Sequence, residues 1–111
     1  MMDYAQKLKE IFQQLLIENI NTLVVEIDYY TEEKGFGIKG NTFNNEGLHL
    51  SYLDFDAEIV WNISDILIEW QNGIYEEQRW NKAIFTTYSD GHFEVKTWWD
   101  EDFQKELYPN G

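Results

Sequence analysis

Three carboxylates at alternating positions, Asp54, Asp56 and Glu58, have the spacing in this chain that most directly suggests chemistry. If the segment is extended, Asp54 and Asp56 lie about 6–7 Å apart on one face of a strand. Two carboxylates at such a separation can perform general acid–base catalysis. Continued to Asp65, the spacing also resembles a calcium-binding loop, but Ile59 stands where that loop requires glycine. We therefore interpret these acids first as a solvated acidic edge and predict no metal site.

Other residues that commonly perform catalysis are scarce. The only histidines are His49 and His92, and both fall at outward-facing positions of predicted strands, so we interpret them as surface residues. There is no cysteine, no serine in a nucleophile elbow and no glycine-rich phosphate loop. The sequence therefore predicts a protein that is not an enzyme and needs no cofactor. A small-ligand-binding or carboxylate-based enzyme domain remains the alternative.

The charge balance indicates the kind of partner. The chain has 21 acidic and 8 basic residues, a net charge of −13, yet it also has 5 Trp, 7 Tyr and 7 Phe. Acidic chains with few aromatic residues tend to be disordered, whereas this one has enough large apolar groups to fold. Its negative field repels nucleic acids and anionic membranes and attracts basic proteins. The scattered cations form no basic stripe for phosphate binding.

Length and composition predict a single domain over residues 1–111. The lack of cysteine is consistent with a reducing compartment, and no secretion signal or membrane-spanning run is apparent. We therefore expect a cytoplasmic protein.

Hydrophobic periodicity predicts the elements. The middle of the chain allows two interpretations: a helix over about 62–78, capped by Asn62 or Ser64, or a hairpin of Ile66–Gln71 and Ile74–Arg79 around Asn72-Gly73, which we consider less favourable. The other predicted elements are a helix over 3–20, strands over 22–30, 35–40 and 48–55, a hairpin of 82–88 and 92–99, and a short acidic helical segment over 100–107. The order α-β-β-β-α-β-β predicts a two-layer α+β fold with helices on one face of an antiparallel sheet of about five strands.

The tryptophans divide into predicted core and predicted surface. Trp61, Trp70 and Trp80 are expected to fill the core, where large rings supply most of the buried area. Trp98 and Trp99 are adjacent, so on a strand one should be buried and the other exposed. We expect Trp98 to be the exposed ring. Beside the acidic residues that follow at 100–102, it would make a binding surface of the type seen at interface hot spots.

The C-terminal half resembles the closing hairpin of the YezG-like antitoxin family. The similarity is carried by Trp80-Asn81, Phe85, Ser89-Asp90-Gly91-His92-Phe93-Glu94-Val95 and Trp98-Trp99-Asp100-Glu101-Asp102. The order of elements is similar too. The resemblance implies a small, acidic, cytoplasmic bacterial protein that neutralises a nuclease toxin delivered by a secretion system.

The prediction is therefore an immunity protein or antitoxin that binds a basic toxin, with acids that imitate a nucleic-acid backbone or only steer the encounter. It is expected to be a monomer or a homodimer. A subunit whose acids serve only solubility stays open as a further possibility. The candidate partner-binding residues are Asp54, Asp56, Glu58, Asp65, Glu69, Trp98, Asp100, Glu101 and Asp102.

Overall fold

A five-stranded antiparallel sheet is the framework of the protein. The computed structural model describes residues 4–16, 20–44, 46–53, 55–73 and 79–109. The sheet order is β3-β2-β1-β4-β5, so the first strand in sequence is the central one. The elements in chain order are α1 (Tyr4–Gln14), β1 (Thr22–Tyr30), β2 (Gly35–Phe43), β3 (His49–Leu53), α2 (Ala57–Asn72), β4 (Lys82–Tyr88), β5 (Phe93–Trp98) and α3 (Glu101–Leu107). This arrangement confirms the predicted α+β class.

Strand β1 separates the two faces of the sheet. Leu23, Val25, Ile27 and Tyr29 are buried, whereas Glu26 between them is exposed. Because side chains alternate across a strand, the odd-numbered residues of β1 form the core face and the even-numbered ones form what we call the open face. Strands β2 and β4 pair along almost the whole of β1 and continue both faces.

Helices α1 and α2 cover the core face. Phe12 of α1 packs against Phe85 of β4, with ring centroids 5.7 Å apart. Trp70 of α2 meets Trp80 edge-on at 5.3 Å. At its C-terminal end, α2 is tied to the sheet because buried Gln71 donates a hydrogen bond of 3.0 Å to the carbonyl oxygen of Trp80. The core is therefore a closed layer of aromatic and aliphatic side chains between two helices and the sheet.

The buried side chain of Asn81 fixes the end of the last hairpin. Its Nδ2 donates to the carbonyl oxygen of Asp100 at 2.9 Å, and its Oδ1 accepts from the backbone N–H of Asp100 at 2.7 Å. Helix α3 begins there and contacts the open face, where Phe103 stacks on Tyr30 and lies under the Lys82 ammonium at 4.0 Å. Trp80 thus contributes a ring to the core, and Asn81 makes two hydrogen bonds to the Asp100 backbone, which we call the Asn81 clamp.

Several predicted boundaries were wrong. Helix α1 ends at Gln14 rather than near residue 20, although residues 17–19 lie outside the described part. Helix α2 starts at Ala57, five residues before the predicted start, and its cap is Asp56 rather than Asn62 or Ser64. The rival hairpin was also wrong, because 66–71 are helical; residues 74–78 are not among those described. Three strands also end at residues other than those predicted. β2 extends to Phe43, β3 covers 49–53 and β5 covers 93–98.

Candidate functional site

The outer face of α2 brings three predicted carboxylates onto one exposed surface. Glu58, Asp65 and Glu69 all point to solvent and follow helical spacing with Trp61 between the first two. Side chains three and four positions apart on a helix have Cβ atoms about 5–6 Å apart. Glu58 and Asp65 therefore flank the Trp61 ring on either side. We call Glu58, Trp61, Asp65 and Glu69 the α2 face.

The charges of the α2 face are uncompensated. Within the described residues, the carboxylates of Glu58, Asp65 and Glu69 take part in no ion pair or side-chain hydrogen bond. Helix α2 contains no Lys or Arg, so no cation stands on the same element. Its first turn carries Glu58, which the helix dipole favours, but its last turn has no basic residue to match the negative end. The face is therefore a concentrated source of negative potential.

Trp61 corrects a prediction about the core. It was expected to be buried, but it is 70% exposed, more than any other large apolar side chain described. The reason is helical phase: the buried residues of α2 are Ile63, Leu67 and Gln71, and Trp61 lies about 200° around the helix from Ile63. Because the helix was predicted to start at about residue 62, Trp61 lay outside it, and only the earlier start at Ala57 assigns a helical phase to this residue. An exposed Trp among carboxylates is a typical anchor of a protein interface.

Asp56 has a structural role. Its side chain accepts a hydrogen bond of 2.9 Å from the backbone N–H of Ile59 and so caps α2. It was predicted to share a strand face with Asp54, but β3 already ends at Leu53, so the paired-carboxylate strand site was wrong for Asp56. Asp54 itself lies outside the described residues. Asp56 still adds a negative charge at the start of the α2 face.

The second predicted acidic cluster, at 100–102, is largely engaged within the protein. The side chain of Asp100 caps α3 by accepting from the backbone N–H of Phe103 at 3.0 Å. Glu101 accepts a hydrogen bond of 3.1 Å from the indole N–H of Trp99. Asp102 is exposed, but Lys105 offsets the charge of the same short helix. Two of the three carboxylates of this cluster therefore already have hydrogen-bond partners within the protein, whereas those of the α2 face have none among the described residues.

Trp98 and Trp99 also differ from prediction, since neither ring belongs to the core. Trp98 is half-buried on the open face, with the Lys96 ammonium 5.3 Å from its ring centroid. Trp99 is 36% exposed and is held by Glu101. The pairing register explains this, because Trp98 lies opposite Lys82, whose side chain belongs to the open face.

The open face contains a shallow groove of about 600 Å³. Glu26, Asp28 and Asp100 supply acidic groups, and Trp98 supplies an aromatic wall. Asp28 is already paired, since its carboxylate lies 2.9 Å from the Lys82 ammonium. The groove therefore mixes both signs of charge, in contrast to the α2 face. Sequence reasoning missed Glu26 and Asp28 as potential ligand-binding groups, although their alternation within the first predicted strand placed them together.

Neither histidine stands in a catalytic arrangement. His49 contacts the amide oxygen of Asn41 at 3.1 Å, and His92 contacts Glu94 at 3.4 Å; both are exposed, as predicted. Across the described ranges, no group of three or more His, Asp or Glu is placed to hold a metal ion. The described helices include none long and apolar enough to cross a membrane.

Two tyrosines have shifted acidity. Burial raises the pKa of Tyr29 above its ordinary value, and the positive charge of Arg79 opposes that rise in part. The pKa of Tyr88 is raised by loss of hydration, by the charge of Glu94 and their 3.3 Å hydrogen bond, and by Asp90. Both phenols therefore stay neutral around pH 7, where neither is a general base.

Comparison with known proteins does not assign the chain to a class. No protein-family model matches it. None of the curated proteins compared with it is significantly similar.

Proposed function

We propose that this chain is a cytoplasmic immunity protein or antitoxin that binds a basic protein toxin and neutralises it. The observation that carries the proposal is the α2 face, where Trp61 is 70% exposed among three carboxylates that have no bonded partner in the described part of the chain. Trp is among the residues most enriched at interface hot spots, so an exposed Trp within a polar surround suits a partner-binding surface. The charge requires that partner to be basic.

A nuclease is the class of toxin that suits this surface best. Nucleases hold the phosphate backbone with Lys and Arg side chains. Glu58, Asp65 and Glu69 would occupy those cations in place of phosphates, while Trp61 would stack on a partner side chain such as arginine. The attraction would also speed the encounter, so the association rate should fall as salt is added. Binding away from the toxin's active site would use the same acids for steering alone.

The first experiment is capture followed by a toxicity test. The tagged protein is used as bait in lysate of its native cell at low salt, and retained proteins are identified by mass spectrometry. We expect one basic protein that salt releases, that stops growth when expressed alone, and that is harmless when co-expressed with this chain. A captured protein without toxicity would contradict the antitoxin role, and retention that Trp61→Ala leaves unchanged would contradict the assignment of the site.

The open-face groove supports a second candidate, a small-ligand or carbohydrate-binding domain. Its aromatic wall, Trp98, and its neighbouring acids, Glu26 and Asp28, are the groups that sugar sites use. The test is a titration with a panel of oligosaccharides, monitored by the indole N–H resonances of the protein. Shifts at Trp98 that the double change Glu26→Gln, Asp28→Asn abolishes would favour this candidate. Shifts confined to Trp61 would argue against it.

A further inference from the structure

The edge strand β3 differs from the rest of the surface in having no charged residue of its own, although the Lys39 ammonium of β2 lies 5.4 Å from the Tyr52 ring centroid. Residues 47–53 contain no Asp, Glu, Lys or Arg, although the whole chain has a net charge of −13. Leu48, Leu50 and Tyr52 are 59%, 46% and 65% exposed. Natural edge strands are usually protected by charged residues, because their unpaired N–H and C=O groups can add another strand. β3 has no charged residue of its own, and its main irregularity is a bulge at Leu50, where the register with β2 shifts by one residue.

The other edge, β5, is protected. It carries Glu94 and Lys96, and it leads directly into the Asp100-capped helix α3. The only comparably exposed aliphatic side chain on it is Val95, at 40%. The two edge strands of the sheet therefore differ, because β5 carries charged residues and β3 does not. A general lack of charge in the chain does not explain this difference.

The β3 edge is also held in shape before any partner arrives. The Asn44 side-chain oxygen accepts hydrogen bonds from the backbone N–H groups of Glu46 and Leu48, at 2.9 and 3.0 Å. The Asn44 N–H bonds to the Leu48 carbonyl at 3.1 Å. Tyr52 contacts the His49 ring, with centroids 5.0 Å apart. Little ordering entropy remains to be lost when a strand is added.

We propose that a second copy of this chain pairs with β3, so that two five-stranded sheets join into one. Antiparallel pairing of β3 with itself about a two-fold axis at Ser51 places Leu50 of each copy opposite Tyr52 of the other. Aromatic–aliphatic cross-strand pairs of this kind stabilise antiparallel sheets. The pairing is closed and symmetric, so it ends at a dimer.

The neutral character of the edge favours a copy over the basic toxin as occupant. A basic strand would find no acid in residues 47–53 and would be repelled by Lys39, whereas two strongly acidic chains repel each other least through a strand without acids. The acids that flank this edge, Glu46 and Asp56, would still repel their counterparts. Added salt should therefore strengthen the dimer, while it weakens a complex held by the α2 face.

The first test is sedimentation velocity of the purified chain at low and at moderate salt, up to about 200 µM protein. We expect a monomer–dimer equilibrium that shifts to dimer as salt rises. Leu50→Lys should weaken the dimer about tenfold or more, because lysine blunts an edge strand. The matched change Val95→Lys adds the same charge to the other edge and should alter the dissociation constant less than about twofold. A monomer over the whole range, or equal effects of the two changes, would overturn the proposal.

A disulfide test fixes the register, since the chain has no cysteine of its own. With the axis at Ser51, the two Cα atoms of residue 51 are about 4.5–5.5 Å apart, within the range that a disulfide spans. Ser51→Cys should therefore form a dimer under mild oxidation. The two copies of residue 49 are about 13–14 Å apart in that register, so His49→Cys should not. Rapid cross-linking of His49→Cys alone, with both variants folded by circular dichroism, would contradict this pairing.

Discussion

The α2 face and residues 99–107 are two acidic segments that each contain an exposed Trp. They differ in whether their carboxylates have hydrogen-bond partners within the protein. In the second, Asp100 caps a helix and Glu101 holds Trp99. On α2, by contrast, the exposed carboxylates have no partner among the described residues, and Trp61 stands free between them. Acidic clusters in sequence are therefore not equivalent. The cluster whose carboxylates make no hydrogen bonds among the described residues is the one available to bind another molecule.

Removing the free ring should produce the largest effect. Trp61→Ala should weaken binding of the captured toxin about a hundredfold, or roughly 3 kcal/mol, as expected for a central hot-spot Trp. The free energy of unfolding should change little, because the ring is 70% exposed. Isothermal titration calorimetry measures the first quantity and urea unfolding the second. Trp99→Ala is the matched control, and an equal loss of affinity there would remove the distinction between the two segments.

Breaking the Asn81 clamp should lower the free energy of unfolding without changing the affinity for the toxin. Asn81→Ala removes two hydrogen bonds to the partly buried Asp100 backbone. The Asp100 N–H loses its Asn81 partner, while the Asp100 carbonyl oxygen keeps the bond from the Gln104 N–H, so the change should cost about 2 kcal/mol of unfolding free energy. Urea denaturation measures this loss. Toxin affinity of the folded variant should stay within about threefold of the original. A large loss of affinity would show that the 99–107 segment takes part in binding.

Neutralising three acids of the α2 face and, separately, three acids of α3 should show which set of charges attracts the toxin during association. The triple change Glu58→Gln, Asp65→Asn, Glu69→Gln should slow toxin association about tenfold at low salt and flatten its salt dependence. The control triple Glu101→Gln, Asp102→Asn, Glu106→Gln alters the net charge equally. Stopped-flow association rates at several salt concentrations compare them. If both triples slow association alike, only total charge matters and the α2 face has no special role.

The cap of α2 should give the smallest effect. Asp56→Ala removes the hydrogen bond to the Ile59 N–H and should lower the unfolding free energy by about 1 kcal/mol. Asp56→Ser retains a capping oxygen without the charge and should recover most of that stability. Thermal unfolding of the three proteins provides the comparison. Equal destabilisation by Ala and Ser would mean that the charge, and not the cap, is what α2 requires.

The regular alternation of the strands made most of the sheet predictable. The pattern of Val25, Ile27 and Tyr29 against Glu26 and Asp28 gave β1 its correct bounds and faces. The last hairpin was equally clear, because Ser89-Asp90-Gly91 separates two runs rich in aromatic and β-branched residues. Strong local signals and tertiary packing agree in these segments, as in most well-specified folds.

The start of α2 was harder, because several residues were plausible caps. Asn62 and Ser64 both suit an N-cap by type, and only the three-dimensional path after β3 selects Asp56. The state of each carboxylate was also beyond sequence reasoning. Nothing in the order of residues shows that Asp100 is bonded to Phe103 while Asp65 has no side-chain partner among the residues that the structure describes. Trp61 depends on the same boundary, because helical phase places its ring outside the core only once α2 is known to start at Ala57.

The absence of a basic residue in the last turn of α2 has a consequence for how this protein can change. Glu69 stands near the negative end of the helix dipole and four residues after Asp65, two unfavourable positions at once. Glu69→Lys would remove the unfavourable interactions with the helix dipole and with Asp65. It should raise the free energy of unfolding by about 0.5–1 kcal/mol. The same change would weaken the hold on a basic partner. Under the proposed function, stability and partner binding therefore make opposite demands on position 69.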